Sequence, residues 1–514
     1  MDKSILMTFE ELSEAVKGDL FYGTRDKTEG FSSVALDSRN VKPGGLFVAL
    51  SGSVQDGHRF VEAGFNAGAC AALVSRDRFA DAGLNLAETA RKTGKALVLV
   101  DDTLAALQDA AAAYLSQFPG LLRVGITGSA GKTTTKEIAA AMIGRERSVV
   151  MNPGNLNSET GLPLSVFNVR SFHEVGIFEM GMNRKGEIWE LARVLKPRIA
   201  LITNIGQAHI GILGSKEQIA LEKAAIFSQF TGDETALVPA RDEYAGILVG
   251  KGGKAVLYGE ELFKELGAVR YRGLEGTDIV WEGKEVRFGL PGKHNFANAM
   301  AAAAIARQIP VSAEAVRAGL ESVKPLFGRG EILSGPVTIV RDCYNANPDS
   351  VEEVLALCDG AEWRGRRIYV LGSMLELGEQ SRAFHRELGR RLLSSKADMV
   401  FLYGRETRDA AEVLESENIP RGRLSPAAGG GFPYFYTDNM DVLRQNITRF
   451  VRPGDMVLLK GSRACALEQL TAILSAIGRS REKESDHDRA GFGGEQYAAH
   501  VLEAALGPGT EGRH

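Results

Sequence analysis

One stretch constrains this chain most: residues 121–137, with the sequence LLRVGITGSAGKTTTKE. The largely apolar residues 121–124 predict a buried strand, a glycine-rich turn follows, and a helical pattern begins at Lys136. Strand, glycine loop and helix in this order predict a phosphate-binding loop, because backbone N–H groups and the positive end of the helix face the anion. The residues of the predicted loop are Gly128, Ser129, Ala130, Gly131, Lys132, Thr133 and Thr134.

Two side chains of this loop have predicted roles: Lys132 supplies a point charge to the phosphates, and the Thr133 hydroxyl can hold Mg²⁺. The pattern is imperfect, because Ile126 stands where such loops usually carry a glycine. The alternative is a plain glycine-rich turn between a strand and a helix. The Gly-Lys-Thr sequence in this context favours the phosphate loop.

Length, charge and cysteine content limit the number of domains, the class of partner and the cellular compartment. At 514 residues the chain is long enough for about three domains. Its formal net charge of −4 does not support a nucleic-acid binder. The four cysteines are far apart and lack metal-ligand spacing, which fits structural thiols in a reducing compartment. We find no signal-peptide pattern and no apolar run of membrane-spanning length, so the sequence predicts a cytoplasmic protein without membrane insertion.

Residues 118–325 repeat strands and helices, a pattern that predicts an α/β fold with a mostly parallel sheet. Glu179 ends an apolar strand, where a second Mg²⁺ ligand beside the phosphate loop belongs; a capping or salt-bridged Glu is the alternative. Residues 199–202 predict another strand, which we expect to lie beside the strand ending at Glu179. His209 lies in the loop after the strand over residues 199–202. Because that strand is expected beside Glu179, metal binding by His209 is favoured over the ordinary role of a polar loop residue.

Polar side chains in other loops are candidates for ligand contacts. Asn155 and Asn157 lie in a polar, glycine-punctuated loop and are suited to holding phosphate or substrate oxygens. Asn295 and Asn298 share one face of an Ala-rich helix and could read a nucleobase, although Asn at a helix start is usually a cap.

The two outer regions also carry candidates at strand ends, where α/β sheets place ligands. In residues 326–480 these are Asp342, Tyr344, Asn345, Asn347, Lys460 and Arg463. The alternative for the last two is an exposed basic turn. Near the N-terminus, Ser38 and Arg39 could grip a polar ligand, but the residues alone favour a turn with a solvated Arg.

Eight motifs together resemble the Mur ligases of peptidoglycan synthesis, and the resemblance extends to about residue 480. They are TGSAGKTTTKE, GNLNSETGLP, FEMG, NIGQAH, LPGKHNFANA, FGR, DCYNANPDS and KGSR. The resemblance implies a three-domain α/β architecture with a P-loop central parallel-sheet domain and a Rossmann-like C-terminal domain. The implied domains are 1–117, which binds a UDP-sugar; 118–325, which binds ATP; and 326–480, which binds the incoming amine. Residues 481–514 form a charged, glycine-rich tail, predicted to be disordered apart from one short helix.

Within the family, YNANP favours the reaction that adds D-alanyl-D-alanine to UDP-N-acetylmuramoyl-tripeptide. The resemblance thus implies an ATP- and Mg²⁺-dependent amide ligase with small-molecule substrates, acting through an acyl phosphate, and a monomer is expected. A sister ligase adding one amino acid to the UDP-N-acetylmuramoyl-dipeptide is the nearest rival, but the Asp-Asn-Pro-Arg type of loop that it needs is not found. Two rivals of other classes are a small-molecule kinase and a non-catalytic nucleotide-binding regulator.

The resemblance also implies residue roles. Gly131, Lys132 and Thr133 hold the β- and γ-phosphates, and Thr133 and Glu179 share one Mg²⁺. His209 binds a second Mg²⁺ together with Lys223, which matches the carbamylated lysine of the family. The implied adenine contacts are Asn295 and Asn298, and the implied contacts on the ribose and phosphate side of the nucleotide are Arg329 and Asp342. The implied contacts at the UDP-sugar end of the other substrate are Asp37, Ser38 and Arg39, with Asp56 to His58. Two positions depart from the family pattern: Ser373 replaces an Asp, and Leu467 replaces a Met.

Overall fold

The computed structural model describes residues 5–21, 29–52, 55–417 and 433–477. The predicted tail, residues 481–514 with its short helix, lies outside these ranges. The described chain is built around three separate sheets of five or six strands, taken in sequence order. The predicted α/β fold is confirmed, whereas the domain boundaries drawn from the sequence stay a prediction.

The first sheet has the order β2-β7-β6-β5-β4, parallel except for β2, and β1 pairs with β3 in a small antiparallel ribbon. The strands are β1 Met7–Thr8, β2 Asp19–Phe21, β3 Gly30–Phe31, β4 Val34–Ala35, β5 Leu46–Val48, β6 Ala71–Ser75 and β7 Ala96–Val100. The helices are α1 Phe9–Val16, α2 Val61–Asn66, α3 Arg76–Phe79, α4 Leu86–Thr93 and α5 Thr103–Ser116. The inner strands β5, β6 and β7 are almost fully buried apolar runs, as expected of a parallel sheet covered on both faces.

The second sheet is parallel throughout, with the order β13-β12-β11-β8-β10-β9. Its strands are β8 Leu122–Thr127, β9 Val149–Met151, β10 Val175–Glu179, β11 Ile199–Ile202, β12 Thr235–Pro239 and β13 Ala255–Tyr258. An antiparallel three-stranded sheet follows, made of β14 Leu266–Tyr271, β15 Thr277–Trp281 and β16 Lys284–Phe288. The helices of this region are α6 Lys132–Ile143, α7 Gly161–Val166, α8 Glu187–Leu195, α9 Ile210–Leu213, α10 Lys216–Ala224, α11 Ala245–Gly252, α12 Lys293–Arg307 and α13 Ala313–Ser322.

The strand order corrects one prediction from the sequence. We expected the strand over residues 199–202 to lie beside the strand ending at Glu179, but β8 lies between β11 and β10 and pairs with both. The carboxyl end of β8, where the phosphate loop begins, is therefore flanked by the loops after β10 and β11. Pairing partners far apart in sequence are set by packing, which local patterns do not report.

The third sheet has the order β17-β18-β22-β19-β20-β21 and is parallel except for β17. Its strands are β17 Glu331–Leu333, β18 Thr338–Asp342, β19 Arg367–Gly372, β20 Met399–Tyr403, β21 Tyr434–Thr437 and β22 Met456–Lys460. Its helices are α14 Pro348–Gly360, α15 Ser381–Leu393, α16 Arg408–Ser416, α17 Met440–Phe450 and α18 Leu470–Ala476. The carboxyl ends of β18 and β22 are neighbours, which brings Asp342 opposite Lys460.

The Ala-rich helix α12 is the main support of the nucleotide side of the second sheet. It is buried from Asn295 to Ala306 apart from one exposed position, and it packs closely against α6. Small side chains let the two helices approach, and this packing brings Asn298 against the turn that precedes α6. The predicted helix therefore exists, and it begins two residues earlier than expected, at Lys293.

Candidate active site

The loop between β8 and α6 has the geometry of an anion cradle. Gly131 has a φ of 77° and stands immediately before α6, a left-handed conformation that glycine adopts without strain. A Cβ at Gly131 would collide with the amide oxygen of Asn298, and one at Gly128 with the hydroxyl of Thr203. The first N–H groups of α6 have no partner within the helix, and together with the helix dipole they favour a phosphate at this point.

The segment after β11 braces the same loop. The backbone N–H of Ser129 donates to the Asn204 carbonyl, and that of Ala130 donates to the Asn204 side-chain oxygen, both at 3.0 Å. The Asn204 amide returns a hydrogen bond to the Ala130 carbonyl at 3.1 Å. These two N–H groups are therefore used within the protein, which leaves the start of α6 as the donor surface. The sequence analysis missed this role, although an Asn at a strand's carboxyl end was its signal.

Two buried lysine ammonium groups meet at one carbonyl oxygen. Lys132 Nζ donates to the Gly128 carbonyl at 2.9 Å, and Lys223 Nζ donates to the same oxygen at 3.0 Å. Burial lowers the pKa of Lys132; the Glu179 carboxylate opposes this shift, and the charge of Arg329 adds to it. Burial lowers the pKa of Lys223 far below its ordinary value, and the charge of Lys132 lowers it further. Burial and the neighbouring charge therefore favour proton loss from Lys223 relative to an exposed lysine.

Glu179 is held on both carboxylate oxygens at the end of β10. Thr133 donates its hydroxyl to one oxygen at 2.7 Å, and Asn157 donates its amide to the other at 2.6 Å. The side chain of Glu179 is almost fully buried. The predicted pairing of Thr133 with Glu179 is present in the geometry, and Asn157 acts on the carboxylate rather than standing free for substrate.

Two residues that the sequence analysis did not single out support this arrangement. Asn152 is fully buried; its side-chain oxygen accepts the Glu179 N–H at 2.9 Å, and its amide donates to the Glu179 carbonyl at 3.1 Å. Lys136, also fully buried, donates to the carbonyls of Asn152 at 2.5 Å and Gly154 at 3.3 Å. A lysine one helical turn after Lys132 was the signal for this contact.

The donor atoms of Thr133 and Glu179 fit a magnesium ion, because Mg²⁺ prefers hard oxygen ligands and often retains water and substrate phosphates. Within the ranges described, no group of three or more His, Cys, Asp and Glu side chains gathers to hold a metal. The second predicted pair, His209 and Lys223, fits a cation only if Lys223 carries a carboxylate, since an ammonium would repel it.

His209 faces the third region rather than open solvent. Its φ is 66°, and its Nδ1 lies 3.2 Å from a carboxylate oxygen of Glu376, whose own φ is 65°. The separation is within ion-pair range, but the angles do not make it a hydrogen bond. Burial lowers the pKa of His209, and Glu376 opposes the shift, while Lys223 and Lys132 reinforce it. A neutral imidazole, the form that binds metals, is thus favoured.

Asn295 and Asn298 lie together at the start of α12, as predicted, and both are buried. Asn295 donates to the Pro291 carbonyl at 2.8 Å, and Asn298 reaches the Asn295 side-chain oxygen at 3.4 Å. Asn298 touches Gly131, so this pair adjoins the phosphate cradle. Their assignment to adenine stays a prediction.

The residues expected on the ribose side of the nucleotide lie in one cluster at the carboxyl ends of the strands of the third sheet. The Arg329 guanidinium lies over the Tyr344 ring at 4.0 Å. Asp342 accepts the Gly330 N–H at 3.0 Å and the Lys460 ammonium at 2.7 Å. Lys460 is buried and also donates to the Asn345 carbonyl at 2.9 Å, so its charge is already paired inside this cluster.

Other predicted contacts have protein partners or face solvent. Asn347 is the N-cap of α14 and forms a capping box with Ser350, the ordinary role of such a residue. Arg463 is exposed and forms an ion pair with Glu468 at 2.6 Å. Asn155 and Asn345 are exposed. Direct contact of these side chains with substrate stays a prediction.

At the N-terminal candidate site, Ser38 and Arg39 lie in a short 3-10 helix capped by Asp37. Arg39 is 86% exposed and pairs with Asp37 at 2.5 Å. The Arg39 side chain and the Arg39 N–H lower the pKa of Asp37 to about 2. The pair lies at the surface of the first region, and the phosphate loop belongs to a different sheet.

Comparison with known families decides the classification. Three family models match along the chain: Mur ligase family, catalytic domain, over residues 31–115; Mur ligase middle domain over 126–306; and Mur ligase, glutamate ligase domain, over 328–463. The chain belongs to the Mur ligase family. This Mur ligase is 43% identical to the UDP-N-acetylmuramoyl-tripeptide–D-alanyl-D-alanine ligase of Treponema pallidum, over 91% of the chain and 99% of the relative.

Three further comparisons agree. The enzyme of the same name from Bacillus subtilis is 35% identical over 91% of this Mur ligase and 98% of its own length. Among solved structures, MurF from Acinetobacter baumannii aligns with a TM-score of 0.78 at 27% identity, covering 91% of this chain and 98% of that one. A Thermotoga maritima MurF solved in complex with ADP aligns with a TM-score of 0.71 at 27% identity, over 87% and 98%. The three-domain Mur ligase architecture predicted from the motifs is confirmed.

Proposed function

We propose that this Mur ligase joins D-alanyl-D-alanine to UDP-N-acetylmuramoyl-tripeptide, using ATP and yielding UDP-N-acetylmuramoyl-pentapeptide, ADP and phosphate. One observation carries the proposal: a phosphate cradle with Lys132 and the Thr133–Glu179 pair faces the third sheet, in a chain whose relatives of that name match over nine-tenths of its length. The ADP-bound MurF neighbour supports the nucleotide.

The first chemical step activates a carboxylate that is a poor acyl donor by itself. The terminal carboxylate of the tripeptide attacks the γ-phosphorus of ATP, the bond to the bridging oxygen breaks, and ADP leaves an acyl phosphate behind. Charge builds on the phosphoryl oxygens, where the Lys132 ammonium and the first N–H groups of α6 can stabilise it. Because these groups are already in place before the reaction, the protein does not have to rearrange as the phosphoryl charge develops.

In the second step the free amine of D-alanyl-D-alanine attacks the carbonyl carbon of the acyl phosphate. Phosphate leaves with the C–O bond electrons, the amine loses a proton, and an amide results. Little beyond positioning is required, because phosphate is a good leaving group. Arg329 lies over the Tyr344 ring in the third region, and its charge acts on Lys132 of the cradle. We assign the amine to this side.

We infer Mg²⁺ at the Thr133 and Glu179 oxygens, where it would neutralise phosphate charge when bound. Asn157 and Asn152 hold Glu179 in position for that role, and Lys136 in turn bonds the Asn152 carbonyl. A carbamate on Lys223, formed when its neutral amine attacks the carbon of CO₂ and releases a proton to solvent, would place a carboxylate beside His209. The domain limits 1–117, 118–325 and 326–480 belong to the same proposal.

We further propose that the protein acts in the cytoplasm as a monomer. No helix in the described ranges is long and apolar enough to cross a bilayer. Three cysteines of the third region, Cys343, Cys358 and Cys465, are buried and free, and the fourth cysteine, Cys70 of the first region, is also unpaired. Free thiols of this kind are typical of a reducing compartment.

The identity of the amine is the most discriminating test. A site that pairs the extra amide of a dipeptide should reject amines that leave its polar groups unpaired. We expect kcat/KM for D-alanyl-D-alanine to exceed that for D-alanine, L-alanine or diaminopimelate, with UDP-N-acetylmuramoyl-tripeptide as acceptor, and mass spectrometry should show the pentapeptide product. Faster addition of diaminopimelate or lysine to the dipeptide acceptor would move the assignment to a sister ligase. ADP release that does not depend on an amine would indicate a kinase.

A further inference from the structure

The third region reaches the phosphate loop through one carboxylate. Asp349, in the first turn of α14, accepts the backbone N–H of Gln207 at 2.6 Å. Gln207 lies in the segment after β11 and so belongs to the second region. This contact spans 142 residues of sequence and joins the two halves of the nucleotide cleft.

The residue before Gln207 continues the connection into the phosphate loop. The Gly206 N–H donates to the Ser129 hydroxyl at 2.8 Å, and that hydroxyl lies 3.3 Å from the Gly206 carbonyl. A continuous line of contacts therefore runs from the third region to the cradle, through Asp349 Oδ2, the Gln207 N–H, Gly206 and Ser129. Ser129 is buried, which limits the positions open to its hydroxyl.

Gly206 is packed against the same carboxylate. A Cβ at this position would collide with Asp349 Oδ2 and would approach Ser129 Cβ at 3.3 Å. Its φ is not in the left-handed region, so alanine is compatible with the local backbone. The cost of a side chain at Gly206 would therefore arise mainly from Asp349.

We propose that Asp349 is a positioning residue, which aligns the phosphate loop through Gln207, Gly206 and Ser129 when the third region docks on the second. Asp349 touches no reacting atom in this role. It couples docking to the geometry of the cradle, so that the loop is aligned only when the side that carries the amine is in place. The inference rests on the proposed ligase reaction for its kinetic consequence, but the contact itself can be measured without catalysis.

The first measurement is independent of activity. Hydrogen–deuterium exchange of the segment over residues 204–214 should be faster in Asp349→Ala than in the unaltered protein, because the Gln207 N–H loses its acceptor. Asp349→Asn keeps an acceptor oxygen and should restore most of the protection. Unchanged exchange in Asp349→Ala would overturn the proposal, whatever reaction the enzyme catalyses.

The second measurement is a double-mutant cycle on amide formation. Asp349→Ala should lower kcat by about 10- to 100-fold, the factor corresponding to loss of one hydrogen bond to a charged group. Gly206→Ala should lower it by a similar factor in the unaltered background and by clearly less in Asp349→Ala, since truncation removes the collision. A defect of equal size in both backgrounds would contradict the proposed line of contacts.

Controls separate positioning from loss of folding. Gly250→Ala lies in α11 of the same region, where an added Cβ meets nothing within 4 Å, and it should behave as the unaltered protein. Asp349→Asn should recover most of the activity, which a purely charge-based effect on α14 would not predict. If the unaltered enzyme ligates no dipeptide while the exchange result holds, the proposed function fails and the positioning contact stands.

Discussion

At the level of single residues, the same residue types have different roles because their surroundings differ. Lys132 and Lys223 share one carbonyl in a buried place, whereas Lys460 is paired with Asp342 and Lys136 with backbone oxygens. Lys223 has a pKa that burial and the like charge of Lys132 hold well below its ordinary value. It is therefore the lysine whose neutral amine is available for reaction with CO₂.

Lys223→Ala tests the proposed carbamate directly. We expect the variant to lose nearly all ligase activity, because the second cation site loses its carboxylate. Short carboxylic acids such as acetate or formate should restore part of it by filling the space left by the side chain. Steady-state ADP release with and without added acid is the measurement. Lys216→Ala, at the start of the same helix α10, is the control; full activity of Lys223→Ala without acid would refute the carbamate.

At the level of secondary-structure elements, the loop after β19 and the helix α15 are joined by a buried histidine. His385 Nε2 accepts the Met374 N–H at 3.1 Å, and Nδ1 donates to the Ser381 carbonyl at 2.8 Å. Both nitrogens are used in the neutral form, so protonation would break the first bond. Burial lowers the pKa of His385, with the Ser381 carbonyl and acidic neighbours opposing the shift.

This histidine predicts a pH dependence of stability with a definite sign. The unfolded chain takes up the proton near its ordinary pKa of about 6.5, while the folded chain resists it, so stability is fully present above that pH and falls below it. The slope from one such group reaches at most about 1.4 kcal/mol per pH unit. Urea unfolding at pH 7.5 and 5.5 should show a smaller pH effect for His385→Gln; equal slopes would assign the effect to other groups.

At the level of the whole protein, the second and third regions meet where two glycines leave no room for a side chain. A Cβ at Gly211 in α9 would collide with the backbone of Leu377 and Gly378, and Gln380 donates to the Gly214 carbonyl at 3.4 Å nearby. The contact between His209 and Glu376 lies in the same interface. A side chain at Gly211 would therefore force the second and third regions apart at this contact.

Gly211→Ala should therefore block docking of the third region while leaving the second region folded. We expect small-angle scattering of the unaltered protein to show compaction when an ATP analogue and UDP-N-acetylmuramoyl-tripeptide are added together, and the variant to show little. ADP binding by calorimetry should weaken in the variant without being lost. The phosphate loop itself lies in the second region, but its alignment through Asp349 and Gln207 depends on docking of the third region. Compaction of Gly211→Ala equal to that of the unaltered protein would contradict this account.

Features that depend on neighbours along the chain were predictable from the sequence alone. The strand, loop and helix around Lys132, the strand Ile199–Ile202 and the helix that carries Asn295 and Asn298 follow from apolar periodicity and glycine placement, which act locally. The motif resemblance added the family and the reaction, because the residues of a shared mechanism recur in order.

The meeting of distant groups, in contrast, follows from tertiary packing. β8 lies between β10 and β11, contrary to prediction, and this order lets Asn204 brace the loop. Lys460 is paired with Asp342 inside the protein, and Asp349 reaches Gln207. Such contacts depend on sheet order and domain docking, which bring together residues 74 to 142 positions apart. No local pattern encodes contacts between residues so far apart.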